Sequence, residues 1–148
     1  GIAISEHGSG SVKFYAGEDA LVLADGLPAP GGLVSNEGKL YVSDRTLGQI
    51  LRLERYSEPT VVVSVLNEPE GFVVVDDGFV VLEAEAGDLI HIDANGVKHQ
   101  LGQVGPDSPG TRSSPPSQLF NGVAIDLEGN LFVSGETKRE LYRLAAPW

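Results

Sequence analysis

GLVSNEGKLYVSDRTLGQILRL, residues 32–53, decides the fold, because the chain repeats its pattern twice more. Residues 71–92 read GFVVVDDGFVVLEAEAGDLIHI, and residues 122–144 read GVAIDLEGNLFVSGETKRELYRL. Each copy opens on Gly and an apolar run. An acidic or polar turn with Gly follows, then a second apolar run, a short polar loop and a third run with apolar alternation. The turns are Asn36-Glu37-Gly38, Asp76-Asp77-Gly78 and Leu127-Glu128-Gly129. Such acidic-Gly steps between strand formers are hairpin signals. Leu40 matches Phe79 and Ile50 matches Leu89 at an offset of 39, and Leu40 matches Leu131 and Leu53 matches Leu144 at an offset of 91. The second offset exceeds twice the first by 13, the length of the Pro/Ser/Gly-rich stretch 105–117, GPDSPGTRSSPPS.

A partial copy opens the chain. Residues 2–15, IAISEHGSGSVKFY, lie over residues 40–53, with Gly10 on Gly48. A fourth apolar segment follows the third in residues 20–24, 60–66 and, weakly, 98–101. Each full unit therefore reads as four strands over about 40 residues, the period of a propeller blade. Residues 73–75 and 80–82 are apolar on both faces, as expected of a sheet covered on both sides. Glu and Ala at 82–86 favour helix, but the matched copy YVSDR does not, and strand is expected. A β-sandwich is the competing all-β architecture, but it has no need of one phrase repeated three times.

The expectation is an all-β chain made of β-propeller blades of four antiparallel strands. The blades are approximately 2–28 (partial), 31–67, 70–104 and 121–148 (partial), with 105–117 as an insertion loop, all in a single domain 1–148. The first blade lacks its innermost strand and the last its outermost. Three and a half blades leave two raw ends. The chain is therefore expected to associate with a second copy as a homodimer, or to be one piece of a longer chain that supplies the missing blades. Two copies would carry twice fourteen strands, suited to six or seven blades.

Composition narrows the partners. The chain has 148 residues, with 10 Lys and Arg against 21 Asp and Glu, a net charge of -11. That excess of carboxylates argues against nucleic acid and anionic membrane, which both need basic patches. Cys is absent, which removes disulfides, thiol nucleophiles and Cys-type zinc sites. No apolar run approaches the roughly 18 residues of a membrane helix, and no signal peptide is visible at the start. Met is absent even at position 1, so a processed or excised polypeptide is expected, and the compartment stays open.

The phrase FNGVAIDLEGNLFVSGETKRELYRL resembles an NHL-repeat blade, and equally a blade of the senescence-marker/gluconolactonase family; residues 31–53 follow the same pattern. Rings of that kind have about six blades. The resemblance implies propeller architecture over nearly the whole chain outside 105–117. It also implies a divalent cation such as Ca²⁺, held by a Glu and an Asn before Gly at inner-strand starts. Glu70 and Asn121 occupy those positions. Carboxylate and amide oxygens suit a hard cation, which would polarise a lactone or ester carbonyl and activate water. The plainer reading makes both residues turn formers before a required Gly.

Strand direction places further candidates at the same end of the blades. Second strands end at Glu6, Asp44, Glu83 and Gly135. The loop 105–117, with Arg112 as its one cation, returns there too. Arg112 would meet an anionic ligand group. The Asp of the YVSD phrase reads as a base candidate or as a loop cap through backbone N–H groups. His7, His91 and His99 show no metal-ligand spacing, and neither a Gly-x-Ser-x-Gly elbow nor a phosphate loop occurs. Tyr41, Phe132 and Tyr142 fall on repeating strand positions expected to pack between blades. Two functions follow: a self-associating module that binds a ligand or protein at an acidic channel face, or a metal-dependent lactonase or esterase.

Overall fold

The computed structural model describes residues 1–104, 122–135 and 140–147. Asn121, Arg112 and the whole of 105–117 lie outside the described residues. Among the described residues, fourteen strands run in chain order. The first sheet is β1 (Ile2–Glu6), β2 (Ser11–Ala16) and β3 (Asp19–Ala24). The second is β4 (Pro30–Asn36), β5 (Lys39–Asp44), β6 (Gln49–Leu53) and β7 (Thr60–Val63). The third is β8 (Pro69–Val75), β9 (Gly78–Glu83), β10 (Asp88–Ile92) and β11 (Lys98–Gln103). The fourth is β12 (Val123–Ile125), β13 (Leu131–Gly135) and β14 (Glu140–Leu144). Neighbours in space are neighbours in sequence in every sheet. The chain is thus all-β, with antiparallel sheets of three, four, four and three strands resembling propeller blades. Residues 82–86, where helix competed, are the end of β9 and a turn.

Local chemistry explains the repetition. Between β4 and β5, Glu37 and Gly38 both have positive φ, 49° and 75°. This is the twist-matched two-residue hairpin that an acidic-Gly step favours. Between second and third strands, the hairpins of the first three sheets close on a left-handed glycine. The carbonyls of Gly10, Gly48 and Gly87 accept hydrogen bonds from the N–H groups of Leu27 (2.9 Å), Leu66 (3.0 Å) and Val104 (2.7 Å). A Cβ on Gly10 or Gly48 would overlap the carbonyl oxygen of Leu27 or Leu66, so these two positions need glycine for space as well as for φ. The bond ties the segment after the outer strand back to its own sheet.

Contacts divide the chain into two compact units, Gly1–Pro69 and Glu70–Trp148. Each unit holds two sheets joined by one apolar cluster. In the first, Val12, Leu27, Val42 and Leu53 are buried, with Leu33 and Leu40 packed against them. In the second, Leu89, Leu131 and Val133 are buried, with Val104, Val123 and Leu144 packed against them. These residues correspond one to one in the repeat: Val12 with Leu89, Leu27 with Val104, Leu33 with Val123, Leu40 with Leu131, Val42 with Val133, and Leu53 with Leu144. The same sheet-to-sheet joint is therefore built twice. Each fully buried Val or Leu contributes roughly 1.5–3 kcal/mol of transfer free energy. Tyr41 is buried as expected, and Phe132 and Tyr142 are half-buried.

Candidate functional site

The candidate carboxylates sit where the second strands end, and the fold uses each of them. Asp44 is fully buried at the end of β5. Its Oδ1 accepts the Leu47 N–H at 2.8 Å and its Oδ2 accepts the Ala29 N–H at 3.0 Å. The first bond caps its own hairpin, and the second holds the segment entering β4. The Arg45 N–H adds a bond to the Ala29 carbonyl at 3.0 Å. A short carboxylate reaches adjacent backbone donors in this way. Asp44 is therefore the loop cap, and both of its oxygens are committed.

Glu6 and Glu83 occupy the corresponding ends of β1 and β9. Each is one methylene longer than Asp and meets a lysine instead. Glu6 Oε2 accepts from Lys13 Nζ at 2.7 Å, Ser9 Oγ at 2.8 Å and Ser11 Oγ at 3.1 Å. The Lys13 bond, followed by the Ser9 bond, holds the Glu6 carboxyl below its ordinary range, and Glu6 in turn raises Lys13. A carboxylate lowered in the fold adds stability above its ordinary pKa. That contribution is lost as pH falls through the lowered value. Glu83 is buried, and its Oε1 accepts from Lys98 Nζ at 3.0 Å.

Glu70 is the second residue of β8, which is hydrogen-bonded to β9, so Glu70 and Glu83 lie at the same end of the third sheet. Glu70 is 2% exposed and engaged with its surroundings. Asn121, its expected companion ligand, is outside the described residues. No three His, Cys, Asp or Glu side chains converge as a metal site among the described residues. Glu70 is thus the one expected Ca²⁺ ligand among the described residues, and no metal-assisted step is derived.

Sequence reasoning passed over the partners of these acids. Lys13 and Lys98 sit on different strands of their blades, third and fourth, so no shared offset flags them. A repeated serine, by contrast, was readable. In ISE, VSD and VSG it precedes the last residue of the second strand. Ser43 Oγ accepts the Gly32 N–H at 2.9 Å, and Ser134 Oγ accepts the Gly122 N–H at 2.7 Å. Both pin the start of the inner strand. Ser5, in the sheet without an inner strand, donates instead to the Gly31 carbonyl of the next sheet at 2.7 Å. Elsewhere, His91 and His99 face each other across β10 and β11 with ring centroids 5.8 Å apart. His91 Nε2 bonds Asp77 Oδ1 at 3.0 Å, and His99 Nε2 bonds Asp93 Oδ2 at 3.2 Å.

No protein-family model matches the sequence, and a search of curated proteins finds no match. The structure resembles virginiamycin B lyase from Staphylococcus aureus with a TM-score of 0.59 at 10% identity, over 98% of this chain and 52% of that one. It also resembles a catalytically inactive variant of the Staphylococcus aureus lyase, crystallised with quinupristin. That TM-score is 0.50 at 15% identity, over 80% of this chain and 42% of the other. The lyase is a seven-bladed β-propeller. At such identities the likeness shows fold alone, and the chain spans about half the length of the lyase it matches. No helix long and apolar enough to cross a membrane occurs among the described residues.

Proposed function

We propose that this chain is a binding module that works as about half of a closed β-propeller, of the NHL-repeat or senescence-marker/gluconolactonase-like kind. The ring presents an acidic channel end to a neutral or cationic small molecule, or to a protein. One observation carries the reading. Asp44, Glu83 and Glu6 end the second strands, and each is bonded to its own hairpin or to an adjacent lysine. A catalytic carboxylate needs an oxygen free to meet substrate or a proton in transit. Asp44 has both oxygens on backbone N–H groups. The net charge of -11 disfavours polyanionic ligands.

Thermal melting in Ca²⁺ or Mn²⁺ tests this reading against a metal-dependent hydrolase. The binding module should melt at the same temperature with and without metal. A ligand that binds only the folded state raises the melting point by mass action. A rise in the wild type that disappears in Glu70→Ala would overturn the proposal in favour of the lactonase-like alternative.

A further inference from the structure

The two complete blades act as an internal template for the incomplete ones. The second strands β5 and β9 each have an inner strand beside them, β4 and β8. Strand β1 is their counterpart, and it is the edge of its sheet. Ile4 matches Val42 and Val81, which are wholly buried, yet Ile4 is 43% exposed. Ile2, the counterpart of Leu40 and Phe79, is 67% exposed. Val42 belongs to the cluster that joins the second sheet to the first. Ile4 thus lies on the equivalent face of the first sheet, the one turned away from the second sheet. Val22 shares that face through Lys13, which pairs with both Ile4 and Val22, and it too is exposed. At the other end of the repeat, Leu141 matches Ile50 and Leu89, both buried, and is 69% exposed. Apolar residues that are core in one copy and bare in another mark surfaces that the same kind of neighbour covers.

We infer that β1 is completed by an inner strand of the Pro-x-Gly-apolar kind, supplied by a polypeptide of further blades and not by a second copy of this chain. Resting on the closed-ring part of the reading above, this names the partner. The two complete blades supply the pattern: Pro30–Asn36 reads PGGLVSN and Pro69–Val75 reads PEGFVVV. The register carries over as well. Leu33 pairs with Val42 and Ser35 with Leu40 in the antiparallel β4–β5 ladder. The incoming strand should therefore set an apolar residue against Ile4 and the residue two positions further along against Ile2. Main-chain bonds supply affinity in such strand addition, and alternate side chains supply specificity.

Among its described residues, a second copy has no unpaired strand of this kind to give. Among the described residues, every inner strand (β4, β8, β12) and every outer strand (β3, β7, β11) is already paired in its own sheet. Two copies would hold eight sheets, four of them still one strand short. Seven four-stranded blades need twice the fourteen strands present here. In a ring of the lyase's size the complement is an outer strand beside β14, three whole blades and an inner strand beside β1, and in a six-bladed ring it has one whole blade fewer. The lyase holds a comparable length of chain, 48%, outside the matched part.

The test uses a synthetic peptide of residues 69–77, PEGFVVVDD, added to the full chain. Hydrogen exchange of the β1 amides and the sedimentation mass are read together. The expected result is a chain that stays monomeric, with β1 amides that exchange freely alone and at least tenfold more slowly with peptide, at one peptide per chain. A scrambled peptide should do nothing. A chain that dimerises by itself with β1 protected would overturn the inference in favour of the second copy. A β1 that stays unprotected at millimolar peptide would overturn it outright. The metal melting reads Glu70 and this experiment reads β1, so either can fail while the other stands.

Discussion

The units Gly1–Pro69 and Glu70–Trp148 build the same joint with three of its six side chains changed. In the first, Val12, Val42 and Leu53 are buried and Leu40 is partly covered. In the second, Leu89, Leu131 and Val133 are buried and Leu144 is partly covered. Size and apolarity at six positions are what the joint requires, and the identities drift within that limit. The carboxylates differ more sharply. Asp44 turns inward onto backbone N–H groups, while Glu83, at the matching position, reaches a lysine on the outer strand. One methylene separates a cap from an ion pair.

The largest expected effect tests how alike the two joints are. Leu131 is fully buried, whereas its counterpart Leu40 is only partly so. Leu131→Ala should cost about 2–5 kcal/mol in a denaturant titration, and Leu40→Ala clearly less. Equal losses would mean that the covering of the two joints does not differ as described. A middle-sized effect separates the two carboxylates. Asp44→Ala strands two backbone donors and should lower stability by about 1–3 kcal/mol. Glu83→Gln keeps the shape and still leaves a side-chain oxygen to accept from a partly exposed lysine, and it should cost less than Asp44→Ala. If Glu83→Gln proves the costlier change, its partner is more than a tether.

The smallest effect has the opposite sign. Val65 sits at φ 60° and is 82% exposed, at the place where the first blade has Gly26 at φ 72°. A β-branched residue in the left-handed region is strained by roughly 1–2 kcal/mol. Val65→Gly should therefore stabilise the chain by about 1 kcal/mol, partly offset by the freedom that glycine adds to the unfolded chain. A lower melting temperature in this variant would mean that the Val65 side chain makes a contact worth more than its strain.

Most of the fold was readable because each blade is a local object. Its strands are joined by hairpins, so the Asn36-Glu37-Gly38 turn and the left-handed Gly48 stand in the sequence beside the strands they connect. The candidate site was readable only as positions. That Glu6, Asp44 and Glu83 end second strands follows from the repeat. What each carboxylate touches depends on residues 7 to 15 places away: Lys13 for Glu6, Ala29 for Asp44, and Lys98 for Glu83. No shared offset ties those partners together.

By itself, the order of amino acids determined that this chain is a series of four-stranded modules, short by one strand at each end, because hairpin turns and strand periodicity act within a few residues. Only the tertiary structure decided that Asp44 is a cap, that Glu6 and Glu83 are paired with lysines, and that Ile2, Ile4 and Leu141 stand bare where their counterparts are covered. Burial and hydrogen-bond partnership depend on which sheets come to lie against one another, and a carboxylate's role is set by the donors that packing brings within about 3 Å of it.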